Sequence, residues 1–215
     1  MSANTHMNPY CAWSNTQVRH AVPVATSVHG ALPFAADTCT SNMVSFQFTA
    51  FNPTILNCTV LASNMTAHYR ITTDFSMAGY TTLKNQDGRN IALIEWRRDK
   101  PLVEIRNMVV KQFVAHWLKL ADDSIHHTMK VKGQKYIWVT PQPNTTRLYP
   151  AGNHTTPDLL AQITCAEDGV VSLDLAPSVI TSGLQDTCIV ATFLLQCGFT
   201  SIEGILIEGR AAPEM

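Results

Sequence analysis

Six basic side chains form two short clusters in this 215-residue chain. Lys130, Lys132 and Lys135 flank Gly133, and Arg97, Arg98 and Lys100 stand together just before Pro101. A Lys-Gly step between two alternating segments is a turn signal, so the first three lysines would project from one hairpin. The second three would gather at a strand end. Cations held this way suit a phosphorylated head group or an anionic membrane surface, where each Lys or Arg contributes about 1 kcal/mol. The same lysines have a second reading, a solvated edge whose charges keep neighbouring molecules from pairing strand to strand.

Other residue types offer less chemistry. Glu95 is a single acid with no second carboxylate at a diagnostic spacing, and a cross-strand ion pair accounts for it. The eight histidines contain no HExxH or HxH pattern, and His126 and His127, being adjacent, would face opposite sides of a strand. Asp122-Asp123 is too small an acidic group for a calcium loop. No GxSxG, P-loop or GxGxxG is present, so nucleophilic hydrolysis and nucleotide binding have no motif to stand on. The six cysteines show no CxxC pair and are expected to be reduced thiols. Four sequons, at Asn57, Asn64, Asn144 and Asn153, are what chance produces in a chain with 24 threonines. No enzyme activity, cofactor or metal is expected.

Composition narrows the partners. Only 14% of residues are charged and the net charge is −1, which excludes a highly charged disordered chain and a broadly basic nucleic-acid binder. The charge is unevenly placed. Residues 1–66 carry only Arg19 and Asp37, residues 95–135 carry a net +4, and residues 136–215 a net −6. A local anion site is therefore compatible with a neutral whole. Residues 1–20 lack the apolar core of a secretory signal. The longest strongly apolar run, CIVATFLL at 188–195, is too short to span a bilayer. The expected location is cytoplasmic, with peripheral contact at a membrane.

The elements that must position these groups are mostly strands. Val44, Phe46, Phe48 and Ala50 alternate with polar residues, as do Met129 and Val131, then Ala161 and Ile163, then Val171, Leu173 and Leu175. Period-two alternation marks strands with one buried face. It predicts strands over 44–51, 55–61, 67–73, 81–84, 89–97, 102–106, 109–118, 125–132, 134–139, 146–149, 159–165 and 171–175. About a dozen short strands make a sandwich or a barrel. Residues 184–197 break the rule, reading LQDTCIVATFLLQC between Gly183 and Gly198. A helix here, with Ser182 as cap and Gln185 as its capping-box partner, would have almost no polar face and would need burial on nearly all sides. The alternative is a pair of consecutive strands, since Cys188–Phe193 is rich in β-formers.

The order Tyr69-Arg70-Ile71-Thr72-Thr73, Ile91-Ala92-Leu93-Ile94-Glu95-Trp96, Trp117-Leu118 and Tyr136-Ile137-Trp138, followed by the apolar helix, resembles a domain-of-unknown-function family abundant in basidiomycete fungi. The resemblance covers roughly residues 44–200. That family is similar to the tubby-like superfamily, which includes phospholipid scramblases and the plant LURP-one-related proteins. The resemblance implies a mainly β fold, a closed antiparallel β-barrel of about twelve strands around a hydrophobic C-terminal helix. It also implies phosphoinositide binding by basic groups on the barrel exterior. The expected organisation is a low-charge leader over 1–42, the barrel over 43–201 with its helix near 184–197, and a tail over 202–215. The expected function is binding of anionic phospholipid or a membrane surface through Arg97, Arg98, Lys100, Lys130, Lys132 and Lys135. The alternative is a structural or protein-interaction module that recruits a partner through the leader.

Overall fold

Side chains that alternate along each strand put one apolar face inward, and the strands pair in chain order. The computed structural model describes residues 42–52, 54–74, 79–97, 100–121, 126–152, 158–166 and 169–197. Nearly all of the leader, the whole 202–215 tail and Arg98 lie outside these residues. The described residues contain thirteen strands: β1 (Val44–Thr49), β2 (Cys58–Ala62), β3 (Ala67–Asp74), β4 (Tyr80–Asn85), β5 (Asn90–Glu95), β6 (Leu102–Ile105), β7 (Val109–Phe113), β8 (Leu118–Leu120), β9 (His126–Val131), β10 (Gln134–Gln142), β11 (Thr145–Pro150), β12 (Ala161–Cys165) and β13 (Val171–Leu175). They form one sheet in the order β7-β6-β5-β4-β3-β2-β1-β13-β12-β11-β10-β9-β8. Each neighbouring pair is antiparallel, and the long-range pairing of β1 with β13 joins the two halves.

The predicted alternation is observed in most strands, but Val44 and Ala50 are exposed, and β5 buries Ile91 and Glu95 on the opposite face as well. Ile71, Leu83, Ala92 and Ile105 stand opposite one another across β3 to β6, all buried. Phe46, Leu173 and Ile163 make a second buried row across β1, β13 and β12. Ala92, Ile94 and Trp96 are buried together as expected.

Two predicted elements differ. The expected strand over 109–118 is β7 and β8 with a single helical turn, α1 (Val114–Trp117), between them. That turn buries Val114 and Trp117 side by side in the core, which an uninterrupted strand, with its period of two, would not do. β1 stops at Thr49 because Ala50 adopts a left-handed backbone with φ 54°, leaving the extended region. The sheet is also not seen closed into a barrel. β7 and β8 are its two ends, with no pairing between them among the described residues.

The helix predicted near 184–197 is α3 (Gln185–Cys197). Thr187 to Leu194 are all fully buried, so the helix meets the core on every side. The expected cap does not form. Ser182 instead ends α2 (Pro177–Thr181), a short helix begun by a proline that needs no N–H partner there. Gly183 at φ 73° closes α2, with Leu184 N–H donating to Val179 O at 3.0 Å and Gly183 N–H to Ile180 O at 3.1 Å. This Schellman pair requires a left-handed residue, so Gly183 serves the helix before it rather than the one after.

A charge placed in α3 would have no exit to water. Val190→Asp would bury an unpaired carboxylate at a cost of several kcal/mol, against a total stability of about 5–15 kcal/mol. The expected outcome is no folded soluble protein, whereas Ile189→Val should fold and lose about 0.5–1.5 kcal/mol. Soluble yield and far-ultraviolet circular dichroism check both, and a folded Val190→Asp protein would refute enclosure of the helix.

Candidate functional site

The first lysine cluster is brought together as the sequence implied. Lys132 and Gly133 form the two-residue loop of the β9–β10 hairpin, with φ of 48° and 82°. Two positive φ values define the hairpin turn whose twist matches the flanking strands, and Asn-Gly is its usual sequence. Lysine in the first position is strained by its Cβ. Lys130 and Lys135 stand directly opposite each other on the two strands, and all three lysines are exposed. Like charges in that position repel, and neither lysine has an acidic partner among the described residues.

The second cluster is a different kind of feature. The Arg97 Nε and Nη2 both donate to Glu95 Oε2, at 3.2 and 3.0 Å, and Lys111 on β7 donates to Glu95 Oε1. Arg97 is therefore half of an ion pair rather than an open cation. Lys100 is exposed, and Arg98 lies outside the described residues. The Glu95 side chain is only 9% exposed. Its hydrogen bond from Lys111 first, and those from Arg97 next, outweigh burial and hold its carboxyl below the usual carboxylate range. The cross-strand ion pair expected for this acid is what the structure contains. Behind it, Trp96 Nε1–H donates to Thr81 Oγ1 at 2.7 Å. Thr81 Oγ1 lies 2.7 Å from Thr73 Oγ1, and the Thr73 hydroxyl donates to Leu56 O at 2.6 Å.

Among the described residues, the shifted thiols and the shifted imidazole are held in their neutral forms. Burial pushes the Cys58 and Cys188 thiols up to about 12, far from the thiolate that a nucleophile or ligand requires. His127 is pushed down by burial and then by His126, which favours its neutral form. Among the described residues no three His, Cys, Asp or Glu side chains converge to hold a metal ion.

A second array was not visible from sequence. Thr59, Arg70, Lys84 and Asn90 face one another in register across β2, β3, β4 and β5. Arg70 and Lys84 are exposed and directly opposed. One residue before Arg70, Tyr69 turns inward. Its hydroxyl donates to Asp186 Oδ1 at 2.8 Å and accepts from Gln185 Nε2 at 2.6 Å. Gln185 therefore ties α3 to β3 instead of capping its own helix. Burial, and next the Asp186 carboxylate, push the Tyr69 phenol well above its ordinary value. Alternation identifies Arg70 and Lys84 as outward-facing, but their pairing depends on the β3–β4 register, which spacing alone does not specify.

The Glu95 pair makes a pH prediction. Its carboxyl titrates lower in the folded state than in the unfolded chain. The stabilisation is thus present above the ordinary Glu value of about 4.3 and is lost as pH falls through the lower folded value. Glu95→Gln should lower the melting temperature at pH 7, and the difference from the parent should shrink as the pH drops below about 4. Thermal melts across that range read the effect, and a difference that does not depend on pH would refute it.

Comparison with known proteins adds a family but no activity. Nothing among the curated proteins matches the chain. A protein of Arabidopsis thaliana solved by X-ray crystallography aligns over 71% of this chain and 93% of its own, at 9% identity and a TM-score of 0.37. That similarity is too slight to carry an argument. A family model matches residues 52–197, which takes in everything from the turn before β2 to the last residue of α3. The chain belongs to the family of unknown function DUF6593.

Proposed function

We propose that this protein is a non-enzymatic, cytoplasmic β-barrel that binds anionic phospholipid head groups, or the membrane surface that displays them, through the β9–β10 hairpin. The observation that carries the reading is the direct opposition of Lys130 and Lys135, with Lys132 strained at the tip between them. Opposed like charges cost stability, and backbone strain of this kind gathers where a site uses it. A phosphate placed between the two ammonium groups reverses the sign of that cost. Lys100 is an exposed cation that would add to the same surface. Among the described residues no helix is long and apolar enough to cross a membrane, so contact at a surface is the mode proposed.

Barrel closure belongs to the same proposal. With thirteen strands in an antiparallel order, the two end strands run in the same direction. Only the four residues of α1 separate the end of β7 from the start of β8. β8 would then continue the line of β7, and the two would act as one interrupted strand that pairs with β6 on one side and β9 on the other. That closes a barrel of about twelve strands around α3, as the resemblance to the tubby-like superfamily implies. Closure would make the β5–β6 connection, with Lys100, a neighbour of the β9–β10 hairpin. A second reading, a protein-interaction module, is favoured by exposed Val110, Phe113 and Leu120 on β7 and β8, with the 1–42 leader as a recruiting segment.

Flotation with phosphatidylcholine vesicles, with and without a phosphoinositide, tests the lipid reading. The parent protein should float only with the anionic vesicles, and less so as salt rises. Changing Lys130, Lys132 and Lys135 to Glu should weaken binding about 100-fold or more, from about 1 kcal/mol per lysine. No flotation by the parent would overturn the lipid function. Unchanged flotation of the triple variant would remove the hairpin from it.

A further inference from the structure

The outward row on β2 to β5 differs from the basic hairpin in shape. Thr59, Arg70, Lys84 and Asn90 stand side by side on adjacent strands, about 5 Å apart at the backbone. The row places a hydroxyl, a guanidinium, an ammonium and a carboxamide together with no carboxylate among them. Neither Arg70 nor Lys84 has an acidic partner among the described residues. Where Glu95 is present, the two nearby cations are paired. A groove of about 340 Å³ opens on the row and is lined by Thr59, His68, Arg70, Lys84 and Gln86 among others. A second cavity of about 280 Å³ shares His68, Tyr69, Asn85 and Gln86 with the first and ends on Gln185 and Asp186. The two therefore share a wall, with cations lining one and a carboxylate lining the other. A groove of this kind can hold a small molecule.

We propose that this double groove binds a small phosphomonoester that carries an amino group at its other end. Arg70 offers a planar fork to two phosphate oxygens, and Lys84 adds a point charge beside it. Together they match a dianion better than either would alone, which relieves the repulsion of their direct opposition. Thr59 and Gln86 supply further donors along the wall. At the far end the Asp186 carboxylate is held in place by the Tyr69 hydroxyl and meets the ammonium. The site does not rest on the lipid reading of the β9–β10 hairpin, and either can fail while the other stands.

Isothermal titration of the full chain with phosphoethanolamine, inorganic phosphate and ethanolamine tests it. Phosphoethanolamine should bind more tightly than phosphate, and ethanolamine should not bind. Arg70→Gln with Lys84→Gln should weaken both phosphate-bearing probes at least about 10-fold, and Lys119→Gln should leave them unchanged. Asp186→Asn should bring phosphoethanolamine down to the level of phosphate. Arg70 and Lys84 are exposed, so their double variant should fold, and a circular dichroism melt confirms it. Absence of phosphoethanolamine binding, or binding that the double variant leaves intact, overturns the proposal. Vesicles containing phosphatidic acid separate the sources of the ligand. Competition with phosphoethanolamine assigns the site to a lipid head group, and failure to compete assigns it to a free solute.

Discussion

The enclosure of α3 is the constraint from which the rest of the molecule follows. The consecutive residues Cys188 to Phe193 step around the whole circumference of one helix and are all fully buried. At about 1.5–3 kcal/mol for each large side chain, their burial alone is of the same order as the whole stability of a domain. A flat sheet can cover only one side of a helix. Thirteen strands of period-two sequence supply a continuous apolar face, and the buried rows on β1, β3 to β6, β12 and β13 belong to the same core as α3. The polar ties at the ends of the helix complete the arrangement. Tyr69 holds Asp186 and Gln185 at the start, and Cys165 Sγ–H donates to Gln196 Oε1 at 2.9 Å near the finish.

With the core committed to hydrophobic packing, chemistry is left to the outer face, where charge is handled in two ways. Around Glu95 the charges are compensated, and a nearly buried acid is tolerable because Lys111 and Arg97 both donate to it. At Lys130–Lys135 and at Arg70–Lys84 like charges face each other across a strand pair. Antiparallel register places opposed side chains about 4.5–5.5 Å apart at Cβ, so these arrangements are unfavourable in the absence of a counter-charge. The contrast within one sheet explains why the proposed functions sit on the two uncompensated pairs and not on Arg97, which had looked equally available as a basic residue at a strand end.

Much of this fold was legible in the sequence because period two and an all-round apolar segment are local signals. Phe46 and Phe48 announced β1, Lys132-Gly133 the β9–β10 hairpin, and Ile189 to Leu195 a helix with no wet side. The errors arose where one residue type serves two structures. Ser182 fits a helix cap by type, yet it closes α2, because Gly183 takes the left-handed conformation that ends that helix. Val114 to Trp117 fits a strand by composition, yet tertiary packing wound it into a turn of helix that buries both Val114 and Trp117. Gln185 was legible as a polar residue near a helix start, but its partner Tyr69 lies 116 residues away.

The sequence by itself determined which side chains face inward, where the chain turns, and that one helix had to be surrounded. Each of these depends on neighbours a few positions apart, and the backbone periods of strand and helix convert such spacing directly into a face. Only the tertiary structure decided which outward side chains meet. Lys130 with Lys135 is separated by a two-residue turn and was within reach of local reasoning. Arg70 with Lys84 depends on how β3 and β4 are aligned, and Glu95 with Lys111 on β6 lying between β5 and β7. A shift of one residue in either register would turn these side chains to the other face, and it is the burial of the inner rows around α3 that holds the register in place.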